Sequence, residues 1–254
     1  SLHDALPIWF IGGEIMSKKI IALILGTMMT VSLVGCSNRE SKEDNTKTFA
    51  IENDEKYSNL DGEWSKDITL KIFDEKFDKL FGEVRDKCKM YGLTFNEKGE
   101  ESVKQEKGRT VSKKYLYLDN EKPEKNRLES LYFGRKLFGD DLSSGQITLK
   151  LSLNFDGEGA LSGENKFDFG DTSLASYAEF MTGEKDRDYS KINEEIIKIL
   201  KSDSGEGVYQ NTINGLYEEY TINKEYLVYT LETKELQFVK EGSEENIDAA
   251  TTTN

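Results

Sequence analysis

The chemistry open to this chain is narrowed first by a residue that it nearly lacks. Its single histidine is His3. A Ser-His-Asp triad, a Cys-His dyad, an H-E-x-x-H zinc site and imidazole acid/base catalysis therefore have no residues to be built from beyond that position. Two cysteines are present, Cys36 and Cys88. Cys88 falls four residues after Val84 on an apolar stripe, where a thiol packs as a small hydrophobe; the competing reading is a reactive or partner-bonded thiol. Carboxylates are abundant, 48 acidic residues against 34 basic ones. Asp140–Asp141, Asp156/Glu158, Asp168/Asp171 and Asp186/Asp188 each offer hard oxygens to a calcium ion. None follows the spaced loop pattern D-x-[DN]-x-[DN]-G with a distal Glu, and each reads more simply as a turn, a helix cap or solvated surface. No metal site, no cofactor and no catalytic set is expected from these residues. A carboxylate pair could hydrolyse a glycoside, but its separation in space decides that chemistry.

Two groups of side chains remain as binding candidates. Tyr217, Tyr220, Tyr226 and Tyr229 lie on two runs expected to pair as strands, and an aromatic face of this kind stacks on sugars or peptides. Cross-strand aromatic pairs also stabilise a sheet without any ligand. The second group is basic. Residues 104–136 hold ten Lys or Arg against five acidic residues, so this window is +5 while the remainder of the chain is −19. Within it Lys113, Lys114, Lys122, Lys125 and Arg127 flank a turn at Pro123 and are candidates for contact with an anionic partner, a lipid head group or an envelope polymer. Charge matching to the acidic remainder, or protection of an edge strand by lysine, is the simpler explanation and needs no partner. The net charge of −14 opposes general binding to nucleic acid and favours a soluble monomer.

The elements that would carry these residues follow from periodicity. Phe73, Phe77, Leu80, Phe81, Val84, Cys88 and Tyr91 recur at steps of mostly three and four, which predicts a helix over 70–91 stopped by Gly92. Ile147, Leu149, Leu151, Leu153 and Phe155 alternate with polar residues as a strand. The turn residues Asp156 to Gly159 then suggest that 160–169 returns as a hairpin partner. Runs 111–118 and 128–138 read as further strands. Helical spacing resumes in a short helix capped by Asp171 or Thr172 and running to Met181, and in a second over 190–202 capped by Ser190. The block 216–238 alternates again about a turn at Asn223-Lys224-Glu225. The expected fold is α+β, a mainly antiparallel sheet with about three helices packed on one face.

The most specific signal stands near the N-terminus. Lys18 and Lys19 precede an almost wholly apolar run from Ile20 to Val34, which is shorter than the ~20 residues that span a bilayer. It ends in Leu33-Val34-Gly35-Cys36, which resembles the lipobox of bacterial lipoproteins processed by the type II signal peptidase. The resemblance implies transfer of diacylglycerol to the Cys36 sulfur, cleavage after Gly35, and anchoring of the mature chain to a membrane. Two or three acyl chains hold far more firmly than one, at ~0.8 kcal/mol per buried CH₂. Residues 1–15 are then read as a translated non-coding segment whose start, Ser1 to Ile8, resembles a sequencing adaptor. Residues 16–35 are the signal peptide, 36–60 a polar tether, 61–240 a single globular domain and 241–254 a disordered tail.

Together these readings predict a lipid-anchored protein on the outer face of a cytoplasmic membrane, Gram-positive by its Lys/Asn/Ile/Glu usage. Its expected role is a non-enzymatic binding or interaction module of the cell envelope. An envelope glycan hydrolase using paired carboxylates, or an accessory subunit of a membrane complex, are the alternatives.

Overall fold

The structure is a computed structural model. It describes residues 56–57, 60–106, 108–163 and 167–240, with the side chains of 99–107 excepted. The chain divides into two units, Ser1–Glu43 and Asp44–Asn254, and every described residue belongs to the second. The lipobox, most of the tether and the tail lie outside the described residues.

The α+β expectation is met. Eight strands form one open antiparallel sheet: β1 (Asn96–Glu106), β2 (Arg109–Asp119), β3 (Arg127–Phe138), β4 (Ser144–Asn154), β5 (Gly207–Ile213), β6 (Leu216–Ile222), β7 (Tyr226–Thr233) and β8 (Leu236–Gln237). Their spatial order is β1-β2-β3-β4-β7-β6-β5, with β8 pairing to β4. Four helices lie wholly among the described residues: α1 (Leu70–Met90), α2 (Gly157–Ser162), α3 (Ser173–Thr182) and α4 (Ser190–Leu200). None of the described helices is long and apolar enough to cross a membrane.

The sheet register sorts side chains onto two faces. Leu116, Phe133, Leu149, Leu231 and Glu218 form one row of directly opposed residues across β2, β3, β4, β7 and β6. The next row on the same face is Leu118, Leu131, Leu151, Tyr229 and Tyr220. Helices cover this inner face. Phe77 of α1 stacks on Phe133 at 5.4 Å, and Phe73, Phe77, Val84 and Cys88 of the same stripe are fully buried. Thr69 starts α1 by accepting a hydrogen bond from Ile72 N, 3.3 Å, and Gly92 at φ 67° ends it. From α3, Tyr177 is fully buried with its hydroxyl 3.4 Å from Cys88 Sγ. Burial pushes the Cys88 thiol pKa up, so it packs as an inert core residue.

Residues 160–163 and 167–169 are not in a strand. β4 already pairs with β3 on one side and β7 on the other, so no edge remains for a third partner. The segment begins instead as α2, whose first turn Asp156 caps by accepting from Gly159 N at 3.3 Å. It continues through Phe167, which meets Phe155 edge-on at 4.9 Å, to Phe169, which is buried completely. β1 and β5 were not expected as strands. β5 enters through a hairpin in which Ile213 opposes Leu216 and the two loop residues, Asn214 and Gly215, have φ of 50° and 79°. Positive φ at both positions is what a type I′ turn requires, and Asn-Gly supplies it at least cost.

Candidate functional site

The four tyrosines do not form one face. Tyr220 and Tyr229 are directly opposed on β6 and β7, point to the inner face, and are fully buried with ring centroids 4.9 Å apart. Tyr217 and Tyr226 lie on the opposite face, because each is an odd number of positions from its inward neighbour. As an exposed aromatic surface this set is therefore corrected.

What the inner pair surrounds is a charge that sequence reading missed. Glu218 has no exposed surface and its carboxylate is enclosed by donors. Arg187, from the loop between α3 and α4, donates two hydrogen bonds of 2.6 and 2.8 Å. The hydroxyls of Tyr229 and Tyr220 donate at 2.7 and 2.9 Å, and Asn211 Nδ2 at 3.1 Å. Burial by itself would raise the Glu218 pKa, but the Arg187 hydrogen bonds and charge, joined by both phenols, outweigh it and hold the carboxyl below its ordinary value. A carboxylate held ionised in this way does not act as a general acid, and its oxygens are fully engaged. Phe169 walls the cluster, edge-on to both tyrosines at 5.1 and 5.2 Å. This is a structural ion pair that locks the α3–α4 loop to the sheet.

The basic set is also dispersed. Lys113 and Lys114 are neighbours on β2 and point to opposite faces. Lys114 pairs with Asp78 of α1 at 2.7 Å, whereas Lys113 opposes Lys136 on the outer face. Lys122, Lys125 and Arg127 sit around the β2–β3 turn, roughly 20 Å along the strand at ~3.4 Å per residue. Lys125 there pairs with Asp156 at 2.9 Å. No single ridge unites the five residues. The carboxylate pairs serve turns and caps: Asp168 accepts from Gly170 N at 2.8 Å, Asp188 from Ser190 N at 2.9 Å, and Asp140 from the Thr110 hydroxyl at 2.6 Å. Among the described residues no group of three His, Cys, Asp or Glu is arranged to hold a metal ion.

The outer face of the sheet carries the remaining chemistry. Its side chains fall into three adjacent rows set by the register. Lys113, Lys136 and Gln146 form the first; Tyr115, Gly134, Thr148, Glu232 and Tyr217 the second; Tyr117, Tyr132, Lys150, Thr230, Glu219 and Gln210 the third. Tyr115 and Tyr132 stack with centroids 5.6 Å apart and planes at 29°. Gly134 makes this possible. A Cβ added there would lie 2.7 Å from both Tyr115 Cβ and the Tyr132 hydroxyl. The Tyr132 ring therefore runs forward along β3, over the glycine, instead of standing off the sheet.

Toward β6 and β7 the same face becomes a polar cluster. The Tyr217 hydroxyl donates to Glu219 at 2.6 Å and the Tyr57 hydroxyl to Glu232 at 2.9 Å. Lys56 pairs with Glu232 and lies 4.0 Å from the centroid of the Tyr217 ring. Between the two carboxylates stands Lys150, whose pKa burial lowers and whose charge Glu219 and Glu232 partly support. Burial, with the Glu232 charge, likewise raises Tyr57. Of the described residues outside the sheet, Lys56 and Tyr57 pack on this face, where Tyr217, Val228 and Ser152 are buried.

In comparison with known proteins, the chain matches no family model, no curated protein and no solved structure. The outer face of the sheet, with its stacked Tyr115 and Tyr132 and its lysine- and glutamate-bearing flanks, is the candidate site that the geometry itself singles out. Its tyrosines 115, 117 and 132 escaped the sequence reading, although the alternation Tyr115-Leu116-Tyr117-Leu118 already separates two faces.

Proposed function

We propose that this protein is a lipid-anchored extracytoplasmic binding module of the cell envelope, and that the sheet face opposite its helices carries the binding surface. The Leu33-Val34-Gly35-Cys36 motif supports the anchor. The observation that carries the binding reading is the Tyr115–Tyr132 stack laid over Gly134. These aromatic rings stand on the side of the sheet turned away from the helix-covered core. Tyrosine offers stacking area together with a polar tip, a combination suited to recognition. A catalytic reading finds less support. Glu218 is sealed, and the acid and base roles of a hydrolase call for carboxyls in contrasting environments, whereas Glu219 and Glu232 share one lysine and each accepts from a tyrosine.

Two measurements test the reading. The full chain expressed in a Gram-positive host with an alkyne-bearing palmitate should become labelled and sediment with membranes. Cys36→Ser should abolish the label and release the protein. An unlabelled wild-type chain with the same distribution as the variant would remove the anchor. For the surface, a photo-reactive residue placed at Thr230 on the outer face should give discrete cross-links in living cells. The same group at Lys79, on the solvent side of α1, should give none. Equal or absent cross-linking at both positions would remove the outer face as the binding surface.

A further inference from the structure

The two strands that end the sheet differ in a way that points to a partner: we infer that β5 pairs with β5 of a second copy of this chain, antiparallel about a two-fold axis, so that two sheets join into one. β1 and β5 stand at the ends of the strand order. β1 reads Asn-Glu-Lys-Gly-Glu-Glu-Ser-Val-Lys-Gln-Glu, and its pairing with β2 shifts register twice. Charge and irregularity of this kind keep a further strand from adding to an edge. β5 reads Gly-Val-Tyr-Gln-Asn-Thr-Ile, with no charged residue and no proline, and keeps one register with β6 throughout. The hairpin fixes where its main-chain groups point. The residues flanking a two-residue type I′ turn, here Ile213 and Leu216, form a hydrogen-bonded pair, and such pairs alternate along the ladder. Gly207, Tyr209, Asn211 and Ile213 therefore bond toward β6, while the N–H and C=O groups of Val208, Gln210 and Thr212 point off the other edge. Among the described residues no strand or loop meets that edge. All three of these residues are exposed, Val208 at 51 %.

A second copy is the occupant that this edge suits. Centred on Gln210, the two-fold pairing sets Val208 against Thr212 of the second copy, Tyr209 against Asn211, and Gln210 against its own counterpart. No charge meets a charge in that register, and the exposed pairs are β-branched or amide side chains that fit a pleated surface. The outward groups of both strands would exchange about six main-chain hydrogen bonds. Side chains beside the edge gain cover on both faces. Val208 lies on the outer one. On the inner one stand Tyr209 and Ile199 of α4, which are only partly buried against the core, with Ile199 reaching the edge at Gly207. A foreign peptide would find on β5 no charged side chain to select it. The net charge of −14 opposes association at long range, and seven residues a copy is small beside the ~20–30 a side of a standard interface. The pairing is accordingly weak and reversible, formed at high local concentration.

Disulfide trapping of the full chain carrying Cys36→Ser tests this, because Cys88 is fully buried. With Cys36 replaced, the outcome is independent of the anchor and of any ligand on the outer face. Opposed Cα atoms of a hydrogen-bonded antiparallel pair lie about 5.5 Å apart, inside the ~4.4–6.8 Å that a disulfide bridges. Gln210→Cys would face its own counterpart and should link into a covalent dimer in air with copper–phenanthroline. Val208→Cys, on the same face and edge but opposed to Thr212, and Lys79→Cys, on the solvent side of α1, report random collision. Gln210→Cys should link at least tenfold faster than either. Adding Val208→Lys and Thr212→Lys, which sets like charges directly across the seam, should return it to the collision rate. Circular dichroism matching the parent chain establishes that each variant keeps its fold. A Gln210→Cys rate no greater than that of Lys79→Cys would overturn the second copy as occupant and leave the edge to a strand of another protein. Equally fast linking at Val208→Cys, or linking indifferent to the two added lysines, would overturn the two-fold register.

Discussion

At Glu218 a full negative charge sits where the chain has no exposed surface, and its consequences can be measured. The carboxyl accepts from Arg187, Tyr220, Tyr229 and Asn211. Removing one partner of a buried pair strands the other, at about 3–5 kcal/mol. Glu218→Gln is therefore expected to lower the urea-unfolding free energy by about 3–5 kcal/mol at pH 7, because the Arg187 guanidinium, 10 % exposed, keeps its charge without a counter-ion. The pH dependence has a definite sign. The folded pKa of Glu218 lies below the ordinary glutamate value, which is about 4.3 in an unfolded chain. The stabilisation is thus present above roughly that pH and lost as the pH falls through the folded pKa. The gap in urea midpoint between the parent chain and Glu218→Gln should narrow below about pH 4, measured on the same pair of proteins. A gap that stays constant between pH 7 and pH 3 would show that the carboxylate charge is not what stabilises the cluster.

Among the elements, the β5–β6 hairpin shows both what the sequence discloses and what it conceals. Asn214-Gly215 is a strong short-range signal for a tight hairpin and was there to be read, although β5 itself was not expected. The hairpin's wider role was not legible. Trp64 N donates to Asn214 O at 3.1 Å, Glu63 N to Asn214 Oδ1 at 2.9 Å, and Asn214 Nδ2 to Thr182 O at 3.0 Å. One turn thus ties the segment before α1 to the end of α3, contacts separated by far more chain than any local pattern spans. The long helix α1 and the strands β2, β3, β4, β6 and β7 were readable because one face of each is buried, which imposes period 3.6 or period 2. β1, with Val103 as its one aliphatic residue, carries no such imprint. The 160–169 segment misled because the turn residues Asp156 to Gly159 suggest a hairpin, while the occupancy of both β4 edges is a property of the sheet and not of the segment. The functional face was the least legible part, since Tyr115 and Tyr132 meet only through the β2–β3 register. For the hairpin itself, Gly215→Val should be severe: its Cβ would lie 2.5 Å from Ser65 N and its φ of 79° disfavours a branched residue. Asn214→Ala should be milder, roughly 2 kcal/mol for two lost side-chain hydrogen bonds and a left-handed backbone. Thermal melts that rank the two in the reverse order would refute this account of the turn.

For the molecule as a whole, the decisive feature is that one continuous core lies under one sheet face and no disulfide supports it. Cys88 is the free cysteine of the described residues, and from the last turn of α1 it faces Tyr177 of α3 with no exposed surface. Any opening that exposes its sulfur must part α1 from α3, and those two helices also carry the contacts to β3 and β4 that hold the sheet face covered. Local fraying therefore does not reach it, in contrast to sites near an edge strand. Labelling of Cys88 by a thiol reagent is accordingly expected to follow global unfolding. The thiol should be unreactive in native buffer, its labelling rate should rise with urea in parallel with loss of the circular-dichroism signal, and the free energy from labelling should match that from equilibrium unfolding. A reducing agent should leave the melting temperature unchanged. Rapid labelling under native conditions, with the fold intact by spectroscopy, would mean that α1 opens independently of the sheet and that the core is two cooperative units instead of one. Burial, which already raises the thiol pKa, suppresses the reactive thiolate as well, so Lys87→Ala on α1 provides the control. It removes the cation beside Tyr177 and its hydrogen bond to Ser176 O without touching the core packing of Cys88. A destabilisation of about 1 kcal/mol there should accelerate labelling in proportion to the lost stability only if opening is global.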